Sequence, residues 1–499
     1  MTLPALDGDE SPLPYEGGHH PELHRALGPI GLVSLGIGVT IGAGIFVITG
    51  TAAAHYAGPG IIISFIVAAI GCLFAALCYA ELASMIPVSG SAYTYAYATL
   101  GRFIGWFIGW NLVLEYGVSA SAVAVGWAGY LGSLLKGLGI VLPAALSNAP
   151  LGLDAAGHII VTGALINVPA SALILFLTAI LVLGVRESAS FNNLMVLIKV
   201  SIIFLIIIFG LPLIKLENLT PLIPANTGTF GQFGWTGILR GAAVIFFAYI
   251  GFDSVSVAAQ EAKNPQRDLP IGILGTLVIC TALYILMSIT MTGLLSYTKL
   301  DVPNPASAAI AAAGPTLAWL TPLVDIAAIT GLATVTFVSL YGQARIFYSM
   351  ARDGFLPRLF AEVHPRFRTP HRGTIATGVF AAVVAAIFPL DILGELVSIG
   401  TLLAFVVVCI AVPILRWRAP DAPRAFRTPA APLVALLGVL VCGGMMTFLP
   451  NGTWIRLAVW TVLGILIYFL YGIHHAKPSK WFLKSLGTYP GVGDEPGGN

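Results

Sequence analysis

The chain has 499 residues, of which 57% are hydrophobic and only 9% charged, with 24 Lys and Arg set against 22 Asp and Glu. An ordinary soluble domain carries roughly 25% charged residues, so a soluble multi-domain enzyme is excluded, and so much apolar content excludes a disordered chain. A net charge of +2 leaves no footprint for nucleic acid, and the mean hydropathy of +0.92 points to a polytopic membrane protein.

The first 27 residues (1–27) are acidic, Pro-rich and polar, without the basic start and apolar centre of a signal peptide, and are expected to form an N-terminal tail. A span needs roughly 20 apolar residues. Twelve stretches qualify, at 28–54, 60–86, 103–134, 167–184, 190–213, 236–259, 270–295, 316–347, 374–388, 391–415, 431–449 and 454–473. The ninth is short, and Pro389 divides it from the tenth. A second tail at 474–499 ends in GVGDEPGGN. Strand-type alternation is absent, so the expected class is all-α with about twelve transmembrane helices rather than a β-barrel.

Basic residues set the orientation. Lys136, Lys215, Arg240, Lys299 and Arg456 fall on one side and Lys199 lies within a span, which leaves 18 of the 24 on the other side. That split predicts both termini in the cytoplasm, with the chain in the cell's inner (plasma) membrane. Trp106, Trp110, Trp127, Trp454, Trp460 and Trp481 lie mostly near span ends, as expected for interfacial belts. The five cysteines all fall in spans without CxxC spacing, so buried thiols are expected rather than disulfides or a metal site.

Glycine interrupts the first span in GIGVTIGAGIF and the sixth in FFAYIGFDS. These spans open two five-helix halves, 28–213 and 236–415, followed by a further pair at 431–473. Five is odd, so the second half enters from the opposite face, the arithmetic of an inverted-topology repeat with broken helices near the midplane. Helix packing alone also favours glycine in membranes. A break frees backbone groups that are costly in hydrocarbon unless they face protein or a wet cavity. The half-helix after the first break offers N–H groups to a carboxylate, so Ile41, Gly42, Ala43 and Gly44 form the expected carboxylate cradle. Phe246, Phe247, Ala248 and Ile250, at the second break, form the expected amine side. An α-amino acid carries both groups on one carbon.

IGAGIF at 41–46, YAELASMIPVSGSAYTYAY at 79–97, FFAYIGFDS at 246–254 and EAKNPQRDLP at 261–270 resemble the amino acid–polyamine–organocation superfamily, most closely the bacterial relatives of cationic amino acid transporters, over roughly 24–475. The resemblance implies a LeuT-type five-plus-five fold, alternating access, amino acid uptake or exchange, and Phe247 as a gate over substrate.

Lys199 lies about eight residues past Phe191, roughly 12 Å deep. A mid-span lysine is a functional-site hypothesis by default, with snorkelling to the interface as the alternative. The functional reading sets its ammonium against free carbonyls near Gly38 to Ile41 in span one. In the resembling family a lysine there replaces a sodium ion, which implies proton rather than sodium coupling, with no other cofactor. Glu115, mid-way along span three, either pairs with a cationic substrate side chain (Arg, Lys, ornithine) or is structural, and the resemblance favours the first. Ser339 in span eight is by itself a packing residue as readily as a pocket residue. In the family its position faces the substrate side chain, and a small residue there admits a long one. Glu81 and Asp253 suit an inner gate or structural hydrogen bonds equally, and Asp325 has no assigned role. EAKNPQRDLP reads physically as a loop and helix cap.

No Ser/His/Asp arrangement or metal-ligand spacing occurs in the sequence, which argues against an enzyme. A channel would want a continuous lined pore rather than paired helix breaks. Within transport, the alternative to proton-coupled uptake (symport) of cationic amino acids is an exchanger for neutral amino acids or polyamines. Membrane lipid is an expected neighbour, and the sequence leaves an accessory subunit open.

Overall fold

A computed structural model describes residues 27–86, 91–153, 159–184 and 189–476. Residues 1–26 and 477–499 of the two expected tails, with Arg25, Lys477, Lys480, Trp481 and Lys484, lie outside the described residues, as do the PVSG of the 79–97 motif and Arg186.

The described chain is mostly helical. In order, it forms α1 (Pro29–Thr40), α2 (Ile61–Met85), α3 (Ser91–Leu100), α4 (Arg102–Leu112), α5 (Ser119–Gly137), α6 (Val168–Val182), α7 (Ala189–Gly210), α8 (Gly234–Ile245), α9 (Pro265–Leu294), α10 (Pro305–Ala312), α11 (Leu320–Arg352), α12 (His371–Ile387), α13 (Leu390–Arg418), α14 (Ala431–Phe448) and α15 (Asn451–Ile467). Among the described residues nine helical stretches are long and apolar enough to cross a membrane, and α1, α6 and α12 are shorter apolar helices. Large side chains such as Phe176, Leu197, Val278 and Leu470 point outward, as suits a surface solvated by lipid.

Several boundaries follow local chemistry. Pro389 caps α13, so the short ninth stretch and the tenth are separate helices. Within EAKNPQRDLP, Asn264 is the N-cap of α9, Pro265 takes the first helical turn, where its missing N–H is harmless, and the Asn264 N–H donates to Asp268 Oδ2 at 3.2 Å. Two short helices, α3 and α10, were not expected from hydropathy. Nor was a two-stranded hairpin of β1 (Leu151–Leu153) and β2 (Ile159–Val161), antiparallel with Gly152 opposite Ile160. It is far too short to make a barrel.

In the interior, α2 packs along α9, α5 along α11, α13 along α14, and α1 against α9. Charged groups inside the bundle join these helices. Glu81 on α2 accepts two hydrogen bonds from the Arg416 guanidinium, at 2.9 and 2.7 Å, and one from the Thr428 N–H at 2.8 Å, with Arg424 Nε at 3.4 Å. Burial holds Arg424 below the usual arginine value. Glu395 on α13 accepts from Thr453 at 2.6 Å and Arg456 at 3.1 Å, fastening α15. Asp325 accepts from Ser133 at 2.9 Å and from Ser307, joining α11 to α5 and α10. Glu81 and Asp325 thus each tie separate parts of the bundle together.

The tryptophan expectation needs correction. Trp106 is buried and donates to the Gly464 carbonyl at 2.8 Å, while Trp110 donates to the Trp460 carbonyl at 2.8 Å and stacks on that ring. These rings lock α4 to α15 instead of anchoring in headgroups. Indole has an apolar body and one donor, and a carbonyl on a neighbouring helix satisfies that donor as well as an interface does. All five cysteines are free and buried, as their placement in spans implied.

Candidate substrate site

Two helices break in the middle of the bundle, and the breaks face each other. α1 ends at Thr40; Ile41 turns to extended backbone (ψ 95°), and helical structure resumes with a wide π turn, Gly44–Ile48. α8 runs into a tight turn, Phe246–Tyr249, then Ile250 (ψ 129°) and Gly251 at φ +123°. Glycine is required at both. A Cβ on Gly44 would sit 2.2 Å from the Ala248 Cα, and one on Gly251 would sit 3.0 Å from the Thr40 N, quite apart from the positive φ.

Backbone carbonyls freed by the breaks find side-chain donors. Lys199 on α7 is 1% exposed, and its Nζ donates to the Gly38 carbonyl at 2.7 Å, within the segment anticipated from its depth. Its methylene stem lies along Gly331 on α11, where an added Cβ would be 2.9 Å from the Lys199 Cε. The hydroxyl of Tyr284 on α9 lies 2.9 Å from the Thr40 carbonyl and 2.8 Å from the Ala248 carbonyl, bridging the two breaks. Sequence reading missed Tyr284, since an aromatic in an apolar span carries no polar signal.

Between the breaks lies a cavity of about 20 Å³, lined among others by Gly42, Ala43, Gly44, Glu115, Phe247, Ile250 and Ser339. Seven of the expected site residues therefore converge. Ile41, Phe246, Ala248 and Lys199 do not line it. Ile41 is fully buried, Phe246 packs edge-on against Phe405, Ala248 fills the space beside Gly44, and Lys199 serves the Gly38 carbonyl. Val39, Thr40, Tyr116, Ser119, Val123, Gly251, Ser254 and Val335 complete the wall. The volume suits about one water, so the site is collapsed.

Glu115 is 2% exposed and sits in another π segment, Val113–Val118, between α4 and α5. Such bulges recur at functional sites. Neither carboxylate oxygen completes a hydrogen bond, although Asp253 and Thr401 stand beside it. Asp253 is itself held by Ser91 at 3.3 Å, Tyr116 at 3.4 Å and the Gly251 N–H at 3.3 Å, so it braces the second break.

A larger vestibule of about 910 Å³ opens next to this cavity, lined by Val47, Thr51, Gly126, Gly129, Lys136, Asp301 and Asp391 among others. Val47 and Ala43 both pack on Gly126, and Tyr130 donates to the Phe46 carbonyl at 2.6 Å, sealing vestibule from cavity. At the rim, His55 holds Asp301 at 2.9 Å, and this bond keeps the Asp301 carboxyl below the usual aspartate value.

Residues 27–473 match the model of a family described as amino acid permease. The methylthioribose transporter of Bacillus subtilis (strain 168) is 46% identical over 458 residues, covering 92% of this chain and 95% of that protein. A branched-chain amino acid permease of the same strain is 45% identical, covering 91% and 94%. The vacuolar cationic amino acid transporter 4 of Arabidopsis thaliana is 40% identical over 401 residues, covering 80% of this chain and 64% of its own length. These relatives are transporters and permeases.

Proposed function

The chain belongs to the amino acid permease family of multi-pass membrane proteins, and from that premise we propose that it is a secondary active carrier that takes up amino acids by alternating access. The observation that carries this reading is the meeting of two helix breaks over one cavity, with glycine backbone on one side and Phe247 and Ile250 on the other. The half-helix from Gly44 onward receives the substrate carboxylate, and the carbonyls at the turn of span six receive its ammonium. Phe247 closes over the bound molecule.

The proposed frame is twelve crossings in a LeuT-type five-plus-five repeat, 28–213 and 236–415, with 431–473 appended and both termini in the cytoplasm. The nine long apolar stretches and three shorter helices among the described residues support it. Glu115 and Ser339 set side-chain selectivity for cationic substrates, since a buried carboxylate without a cation partner on the cavity wall is matched by an ammonium or guanidinium. Lys199 couples transport to protons, because a buried ammonium on an α1 carbonyl can release and rebind a proton as that helix moves.

A neutral branched-chain substrate is the second reading. It is favoured by the branched-chain permease relative and by Val39, Val123 and Val335 on the wall. A thermal-shift screen of the full chain against the twenty amino acids and methylthioribose, at two pH values, separates the readings, because a ligand stabilises the native state by mass action. Stabilisation by arginine, lysine or ornithine supports the cationic reading; stabilisation by leucine, isoleucine and valine alone replaces it. Uptake into proteoliposomes that neither saturates nor shows counterflow would refute a carrier.

A further inference from the structure

Gln343 is completely buried in the middle of α11, and neither its amide oxygen nor its amide nitrogen completes a hydrogen bond. An unpaired amide of this kind is costly inside a bundle, so its surroundings are informative.

α5 and α11 run antiparallel. Ser133 meets Asp325 near one end, while a Cβ on Gly117 would lie 3.6 Å from Gln343 Oε1 near the other. Between those points Val123 and Ser119 face the substrate cavity from one helix, and Val335 and Ser339 face it from the other. Gln343 is the next residue of the α11 stripe, one helical turn, about 6 Å, beyond Ser339. It therefore lies at the depth of the π segment that carries Glu115. A third wall comes from α13, where a Cβ on Gly400 would sit 3.0 Å from the Leu114 Cβ and Thr401 stands beside Glu115. The Thr401 hydroxyl is likewise buried without a hydrogen bond. Three elements thus carry a carboxylate on the cavity wall and, at the same depth beyond Ser339, a carboxamide and a hydroxyl, all buried and none completing a hydrogen bond.

We propose that Gln343, with Glu115 and Thr401, forms a distal subsite for the guanidinium head of an arginine-like substrate, and that Gln343 is a specificity-determining residue within it. A guanidinium is planar and presents five N–H donors in a fixed fork, whereas an ammonium is a compact point charge with three. The two Glu115 oxygens, Gln343 Oε1 and Thr401 Oγ1 are acceptors carried by separate elements at one depth, a set that favours the fork over the point charge. Ser339 leaves room for the methylene stem between this subsite and the helix breaks. The assignment rests on the cationic-substrate reading and narrows it from cations in general to guanidinium.

Binding of arginine, lysine and alanine to the purified full-length protein tests it, in wild type, Gln343→Leu and Gln343→Glu. Gln343→Leu removes the acceptor at similar volume and should weaken arginine at least about tenfold, the scale of one hydrogen bond to a charged group, while alanine changes less than about twofold on that scale. Gln343→Glu restores an acceptor and should recover arginine binding. Equal losses for arginine and alanine, or an unchanged arginine affinity in Gln343→Leu, overturn the subsite and leave the cationic reading standing. A wild type that binds alanine but neither arginine nor lysine overturns the cationic reading itself. If Gln343→Leu does not fold, Gln343→Met carries the same comparison.

Discussion

Lys199→Met separates a coupling role from a structural one. Methionine keeps an unbranched stem against Gly331 but removes the donor 2.7 Å from the Gly38 carbonyl. That carbonyl belongs to the last turn of α1, where the break at Ile41 has ended the helical ladder. Leaving a buried acceptor unsatisfied costs about 1–3 kcal/mol, enough to lower thermal stability without unfolding the bundle. The decisive readout is transport, in proteoliposomes loaded with substrate and exposed to labelled amino acid, with and without an inward proton gradient. If Lys199 couples protons to movement of α1, the wild type responds to the gradient and Lys199→Met does not, while counterflow, which needs no net proton movement, persists. A purely structural lysine predicts that uptake and counterflow fall together and the gradient response survives in proportion. An unchanged response to the gradient in Lys199→Met refutes the coupling assignment.

Gly44→Ala should abolish binding and transport, since its methyl would meet the Ala248 Cα at 2.2 Å and overpacking of this kind costs typically 1–3 kcal/mol; ligand-induced thermal shift measures it, and a normal shift would contradict the close approach. Tyr284→Phe deletes the one hydroxyl that spans the Thr40 and Ala248 carbonyls, so a loss of about 1–3 kcal/mol is expected by thermal unfolding, with transport slowed beyond what the stability change explains. Glu115→Gln should weaken arginine or lysine far more than alanine in a binding assay, and parallel losses would make Glu115 structural. Glu81→Gln should lower thermal stability with little change in substrate affinity, because its partners Arg416 and Thr428 lie away from the cavity lining.

The placement of the breaks was legible because glycine is an unambiguous mark: no side chain fits between Gly44 and Ala248, or beside Thr40 at Gly251, and the motifs say so directly. Lys199 was legible because one ammonium amid apolar residues must find carbonyls, and only a broken helix supplies them. What stayed hidden are groups whose meaning depends on a partner in another helix. Tyr284 looks like any span aromatic until its hydroxyl reaches two carbonyls, and Gln343 looks like a packing amide until the segment that carries Glu115 is seen beside it. Trp106 and Trp110 were misplaced for the same reason, as their donors go to α15 rather than to headgroups. The helices α3 and α10 escaped because hydropathy reports crossings, and a helix lying against the bundle need not be apolar.

A cavity of about 20 Å³ beside a vestibule of about 910 Å³ restricts how substrate enters. No amino acid fits the smaller space, so the walls must separate. The seal is local: Val47 and Ala43 on Gly126, and Tyr130 on the Phe46 carbonyl, all join the segment after the first break to α5. On the other side of that break α1 is held by Lys199, and the two breaks are bridged by Tyr284. The backbone already leaves helical geometry at Ile41, at ψ 95°, so the half after the break can swing from α5 while α1 keeps its Lys199 bond, or α1 can leave Lys199 while the seal at Gly126 persists. Under alternating access these two motions must exclude each other. Gly126→Val, which adds bulk at the seal against Val47, should therefore trap the protein with its cavity closed to added substrate, and saturable binding of unchanged affinity in that variant would refute the Gly126 seal as the gate.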